Sequence, residues 1–256
     1  MIIKALNTYI MPTVYLPKNL LTTLKSSFKF TESQDNNNGS KTVYISYNGD
    51  NLRFQTPSGF TTPFGMSKYS GEGDAPKQEI EKYTMHISIH QNNRAQVKFK
   101  QFLEEINTTI LDAAFENSTA WFGVQKKREV IEDLYTPLIH VPVDKETGEP
   151  STKYPPTFRV NVPVRDNHMT IPVYDFENNV MDVDLIPARA TVQAIIRLQG
   201  IWVVGGKFGP LLRVEQFRVK MPETMGYQFS DDEESETEQE KERIKPRYVD
   251  DSDDSS

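Results

Sequence analysis

The longest regular pattern in the chain is Ala95 to Asn117, AQVKFKQFLEEINTTILDAAFEN, where Phe99, Leu103, Ile106, Ile110 and Ala114 return every three or four residues. That spacing lays one apolar stripe along an α-helix. Arg128 to Tyr135, REVIEDLY, predicts a shorter helix, stopped by Pro137. Near the start, Leu20, Leu21, Leu24 and Phe28 share a face in PKNLLTTLKSSFK and predict a third. Elsewhere the period is two. Met85, Ile87 and Ile89 alternate with polar neighbours, as do Val192, Ala194, Ile196 and Leu198, which predicts half-buried strands. TFRVNVPV, MTIPVYDF and LLRVEQFRVKM add strands, and Gly205-Gly206 turns one into the next. TVYISYNGDNLRFQT predicts a hairpin about Asn48-Gly49, a dipeptide that tolerates positive φ. The pattern describes a β-rich (α+β) domain with one long helix and inserted loops, a small barrel being consistent with it.

One stretch has neither period. QTPSGFTTPFGMSKYSG, Gln55 to Gly71, reads as an irregular loop, yet it carries Phe60 and Phe64. Val141 to Pro156, VPVDKETGEPSTKYPP, is a second connection rich in turn-forming residues. No internal repeat is visible.

Composition divides the chain. The last 27 residues, Ser230 to Ser256, hold 12 acids and 4 bases, a net of −8, so of the overall −7 the preceding 229 residues carry about +1. That segment has too few apolar residues to offset its ordering entropy and is expected to be a disordered acidic tail after a domain over residues 1–229. A solubilising role is one reading; a polyanion that competes with nucleic acid and recruits partners is another. Ser230 and Ser235 each precede a glutamate by three residues, a pattern that suits acid-directed kinases. The absence of cysteine excludes disulfides and thiolate metal sites and suggests a reducing, intracellular setting. No stretch has the length of apolar sequence that spans a bilayer, so a soluble chain with no membrane partner is expected.

Catalytic patterns are missing. His86, His90, His140 and His168 are scattered, without the glutamate of a metalloprotease helix. Asp182-Val183-Asp184 lacks the glycine turn of a calcium loop, and GGKFG at Gly205 to Gly209 lacks phosphate-loop spacing. No serine sits in a nucleophile elbow. The expectation is a protein that is not an enzyme and uses no metal or cofactor.

What recurs instead is an aromatic ring beside a cation: Arg53-Phe54, Phe60 and Phe64 before Lys68-Tyr69, Trp121-Phe122 before Lys126-Lys127-Arg128, Lys153-Tyr154 before Phe158-Arg159, and Lys207-Phe208 after Trp202. Single-stranded nucleic acid suits that combination, because its phosphates need cations and its unpaired bases stack on rings. A core role competes for Phe54, Trp121, Phe122 and Trp202, and a protein–protein surface would carry the same pattern.

Two segments bring a family into view. YNGDNLRFQTPSGFTTPFGMSKY, with Gln-Thr-Pro and then Pro-Phe-Gly-Met, and GIWVVGGKFGPLLRVEQFRVKM, with its Trp and Gly-Lys-Phe-Gly, resemble the single-stranded DNA-binding proteins of nucleocytoplasmic large DNA viruses. That group is similar to the bacteriophage T7 type. The resemblance spans roughly residues 40 to 256. It implies an OB-fold-like barrel, sequence-independent DNA binding in viral replication, recombination or repair, and a tail that recruits the viral polymerase or other replication proteins. It implies action at a viral replication site in the host cell, cytoplasmic or nuclear, and leaves a homodimer open. The candidate contacts are Arg53, Phe54, Phe60, Phe64, Lys68, Tyr69, Trp121, Lys126, Lys127, Arg128, Lys153, Tyr154, Arg159, Lys207, Phe208 and Arg213. An inward-tucked Pro-Phe-Gly-Met would leave Lys68 and Tyr69 alone as contacts in that loop. The T7 type ends its tail on an aromatic residue, whereas the nearest ring to DDSDDSS here is Tyr248. An acidic-tailed chaperone for basic proteins and a virion structural component are the competing readings.

Overall fold

The computed structural model describes residues 13–20, 22–36, 39–69 and 82–223. The chain divides into Met1–Pro222 and Glu223–Ser256, and every element below belongs to the first. The acidic segment 230–256, Tyr248 and Leu21 lie outside the described residues, as does the side chain of Tyr69.

The first helix expected from periodicity is broken. Pro17–Asn19 forms a 3-10 turn, α1 spans only Leu24–Ser27, and β1, Phe28–Phe30, follows directly. Leu20, Leu24 and Phe28 are buried as the pattern requires. The chain between them changes conformation because Thr22-Thr23 and Ser26-Ser27 are weak helix formers, and because Phe28-Lys29-Phe30 alternates and finds a strand partner.

Then come β2 (Gln34–Asp35), β3 (Lys41–Tyr47), β4 (Leu52–Gln55), β5 (Phe60–Thr61), β6 (Met66–Tyr69) and β7 (Lys82–Ser88). The helices α2 (Arg94–Glu116), α3 (Ser118–Phe122) and α4 (Arg128–Leu134) follow. The rest is β8 (Ile139–His140), β9 (Thr157–Arg165), β10 (His168–Met169), β11 (Val173–Tyr174), β12 (Thr191–Val204) and β13 (Lys207–Lys220).

The hairpin expected about Asn48-Gly49 is one pair deep. Both residues have positive φ, and Tyr47 and Asp50 exchange backbone hydrogen bonds, but β3 and β4 do not continue as a ladder. Instead β3, β4 and β5 line up one after another along the same edge of β12, at Gly200–Val203, Ile195–Leu198 and Thr191–Val192. The other edge of β12 pairs antiparallel with β13 through the Gly205-Gly206 turn, with register shifts at Ile195/Ile196 and Leu198/Gly200. The pairings run from β12 through β5, β7 and β9 to β13, which returns to β12, so the ladder closes on itself.

The inner face is packed by α2. Its stripe of Phe99, Phe102, Leu103, Ile106 and Ile110 is buried, and Phe99 lies within 5.3–6.0 Å of Phe54, Phe60 and Phe158. Asn93 caps the helix by accepting from the Ala95 and Gln96 amides. Buried Gln96 then ties it to the sheet, accepting from His90 N at 2.7 Å and donating to Gly59 O at 2.8 Å.

The described part of the Gln55–Gly71 stretch, through Tyr69, is more regular than its sequence suggests. Thr61 pairs with both Thr191 and Ser88, and β6 pairs along β7. Between them the Pro63-Phe64-Gly65 turn is pressed against residues 186–189: Arg189 N donates to Thr62 O and Met66 N to Ile186 O. Gly65 has φ +69, and a Cβ there would sit 2.7 Å from the backbone of Ile186, Pro187 and Ala188. Only glycine fits that approach.

Candidate nucleic-acid interface

Charge in the described residues is sorted by element. The strands hold two carboxylates, Asp35 and Glu215. Against them stand Lys29, Lys41, Arg53, Lys68, Lys82, Arg159, Arg165, Arg197, Lys207, Arg213, Arg218 and Lys220. The helices lean the other way. In α2, Glu104, Glu105, Asp112 and Glu116 outnumber Arg94, Lys98 and Lys100, and α4 carries Glu129, Glu132 and Asp133 beside Arg128. A domain that is almost neutral by composition is cationic on its sheet.

Strand alternation puts much of this charge outside. Phe54, Ile196, Val160 and Met85 point to the core, so their neighbours face away from it. Register then aligns those outward residues: Arg53 opposite Arg197, Arg197 opposite Arg213, Arg213 beside Asn161, Asn161 opposite Thr84, and Thr84 opposite Ser67. With strands about 4.8 Å apart, three guanidinium groups on adjacent strands cover about 10 Å. Like charges facing across strands destabilise a sheet unless something neutralises them. Glu215 neutralises two, lying 3.0 Å from Arg53 Nε and 3.3 Å from Arg197 Nε. The Arg197 contact is not aligned as a hydrogen bond, which leaves its Nε buried without an acceptor. Arg213 has no ion pair among the described residues, and Asn161 Oδ1 beside it is buried without a hydrogen-bond partner. Arg213 therefore has donors to spare, whereas the Asn161 oxygen lacks a donor.

Rings flank it. Tyr44, 43 % exposed, faces out opposite Gly200, and half-buried Trp202 lies over Gly209. Toward β7, Phe64 is 71 % exposed and meets His86 edge-on with centroids 6.4 Å apart. Toward β11, the Arg218 guanidinium sits 6.0 Å from the Phe176 ring and bonds Asn178 and Gln193.

Four of the residues expected from sequence to stack on bases cannot do so in this conformation. Phe54, Phe60, Trp121 and Phe208 are at most 1 % exposed. Phe54 packs on Phe99 and Phe102, and Phe60 between Phe99 and Phe158. Trp121 donates its Nε1 hydrogen to Thr31 O, and Phe208 is flanked by Phe122 and Tyr135, each at 5.1 Å. For Phe54 and Phe208 the pairing with Arg53 and Lys207 reflects strand alternation, one residue in and the next out, rather than a shared surface; Trp121 lies on α3 and Phe60 has no adjacent cation. Arg53, Arg159 and Arg213 do lie on the outer face, and Phe64 stands beside it against His86; Lys68 is exposed but pairs with buried Tyr83, on the opposite face from Ser67. Lys126, over the Phe122 ring at 5.9 Å, lines a hollow with Lys41 and the Gly205-Gly206 turn, where Lys207 is exposed. Lys127 is exposed, whereas Arg128 is committed to Asp112 at 2.8 Å and Glu132 at 2.7 Å. Lys153 sits 5.2 Å from the exposed Tyr154 ring on the 141–156 connection, with no described contact to the arginine row.

Arg197, Tyr44 and His86 are the residues that sequence reasoning passed over. Arg197 carried a signal: it is the one cation among the polar alternate positions of the β12 strand pattern. Tyr44 and His86 carried none, since only register brings them to this face.

No curated protein matches the chain. Among solved structures it is similar to the single-stranded DNA-binding protein of bacteriophage T7, with TM-score 0.42 and 13% identity over 70% of this chain and 97% of that one. It is also similar to the single-stranded DNA-binding protein of bacteriophage Enc34. The Enc34 structure in complex with single-stranded DNA gives TM-score 0.42 and 10% identity over 78% of this chain and 99% of that one. A second structure of the Enc34 protein gives TM-score 0.38 and 12% identity, over 78% of this chain and 94% of that one. Residues 84–232, more than half of the chain, match the model of a family of unknown function, DUF5871, and the chain belongs to that family.

Proposed function

We propose that the protein binds single-stranded DNA without sequence preference, across the outer face of the sheet. The observation that carries this reading is the row Arg53–Arg197–Arg213–Asn161, three cations with the single carboxylate Glu215 between two of them and exposed rings on both sides. A polyphosphate strand supplies what the row lacks, and unpaired bases supply π-faces for Tyr44, Trp202 and Phe64. In this reading the closed ladder is an OB-fold-like small barrel with α2 packed on it, and residues 1–229 are the binding domain. The chain acts without catalysis or cofactor, in viral DNA replication, recombination or repair inside the host cell. Residues 230–256 compete with DNA for the cationic face and recruit replication proteins, a polymerase among them. The support is the charge arithmetic: −8 on the tail against a sheet nearly free of acid.

Fluorescence anisotropy with labelled oligo-dT tests this on the full chain and on residues 1–229. Binding that strengthens in the shorter chain is expected, because the competitor has gone. No binding by either chain overturns the DNA reading. Binding of basic proteins lost on truncation would favour the chaperone instead.

A further inference from the structure

A second cluster of cationic and titratable groups lies where β7, β8 and β9 meet. His86 on β7 is opposite Arg159 on β9, and His140 on β8 is opposite Thr157, whose Oγ1 is 3.4 Å from His86 Nδ1. The three side chains His86, His140 and Arg159 share one hollow whose wall is the Pro137–Val141 segment. Leu138 and Ile139 bury their side chains under it while Val141 stays 42 % exposed, so the floor is apolar and the rim is basic. Phe64 stands against His86 at the edge.

We infer that this hollow is a nucleotide subsite, in which Arg159, His86 and His140 hold a phosphoryl group and the exposed Phe64 ring receives the base. The inference rests on the strand-binding reading for its physiological ligand, but the chemistry is that of any nucleotide phosphate: a strand's backbone and a free mononucleotide both present it. Arg159 has no ion pair among the described residues, so its donors are available, and an Arg–phosphate contact is charge-assisted. Among the described residues, the charged or titratable groups that bear on His86 are Arg159 and His140. Its other outward neighbours, Thr84 and Ser88 on its own strand, Thr157 on β9 and Ser67 on β6, are uncharged. Burial, then Arg159, then His140 hold the His86 imidazole below its ordinary range. A phosphate anion between these groups offsets the two electrostatic causes. Binding is therefore linked to protonation: phosphate raises the His86 pKa, and affinity for it rises as the pH falls through that value.

The test is an NMR titration of the four imidazoles in the full chain, with thymidine monophosphate, thymidine, and oligo-dT with and without a 5′-phosphate, at constant ionic strength. Thymidine monophosphate is expected to shift His86 and His140 and to move the His86 titration midpoint upward, while thymidine does neither. His168, paired with Asp184 at 3.1 Å, serves as the internal control. Arg159→Gln is expected to weaken the response about tenfold or more, with unchanged Tm because Arg159 is exposed. If oligo-dT lacking a terminal phosphate displaces the mononucleotide, the strand's backbone fills the subsite; if only the phosphorylated or free nucleotide does, a terminus fills it. Unmoved His86 and His140 with every ligand, or equal shifts with thymidine, would overturn the subsite. Tight oligo-dT binding with silent histidines would sink this inference alone. Responsive histidines with no oligo-dT binding would sink the strand reading and leave the subsite.

Discussion

Replacing Phe60 with alanine removes a ring packed between Phe99 and Phe158 and fully shielded from water. That change is expected to cost about 3–5 kcal/mol of stability, read as a lowered denaturant midpoint. Phe64→Ala, four residues on, is expected to leave the midpoint nearly unchanged and to weaken oligo-dT binding by about 1–3 kcal/mol, the contribution of one stacked base. The reverse pattern, with Phe64→Ala unfolding the protein and binding intact, would show that the turn serves packing. Gly65→Ala tests the turn itself. The substituted residue would keep a positive φ at a strain of about 1–3 kcal/mol and press into the 186–188 backbone. Tm should fall by roughly 2–4 °C for each kcal/mol in a domain of this size.

At the level of elements, Asp112 joins three helices: its carboxylate accepts from Lys25 of α1 and Arg128 of α4, each at 2.8 Å. These partners hold its pKa below the ordinary 3.8. A carboxylate with a depressed folded pKa stabilises above the unfolded value and loses that contribution as pH falls through the folded one. Asp112→Asn should therefore be less stable than wild type at pH 7, with the gap closing as the pH falls below about 4 in urea titrations. A gap independent of pH would assign the residue a packing role. Elements with a long, clean period were legible from sequence. The alternation along Thr191–Gly200 in β12 and the stripe in α2 each have one burial solution, and the structure adopts it. Short segments were not. The Phe60–Thr61 strand exists because β7 and β12 flank it, and the Phe28–Phe30 strand because β3 does. Both partners are distant in sequence. The arginine row was illegible for the same reason: Arg53, Arg197 and Arg213 become neighbours only through register, which the bulges in β12 shift. Aromatic–cation dipeptides misled because alternation sends the two side chains to opposite faces.

For the molecule as a whole, the proposed path of the DNA is the sheet and not the helices or the connections. Its near-neutral composition hides a cationic face, and the −8 segment at the end of the chain is the charge that such a face would attract. Removing that segment should also steepen the salt dependence of DNA binding, because salt weakens the competing tail too, so the two chains should converge in affinity as salt rises past about 0.5 M, where charges are screened within a few ångströms. The most direct test compares two charge reversals of equal size in full-length protein, by anisotropy of labelled oligo-dT at fixed salt. Arg213→Glu lies in the row, and Lys145→Glu lies on the exposed 141–156 connection. A loss of at least about tenfold is expected for Arg213→Glu and of no more than about twofold for Lys145→Glu, with a salt slope shallower for the first alone. Equal losses would mean that net charge alone attracts the strand, and an unaffected Arg213→Glu would contradict the sheet face as the site.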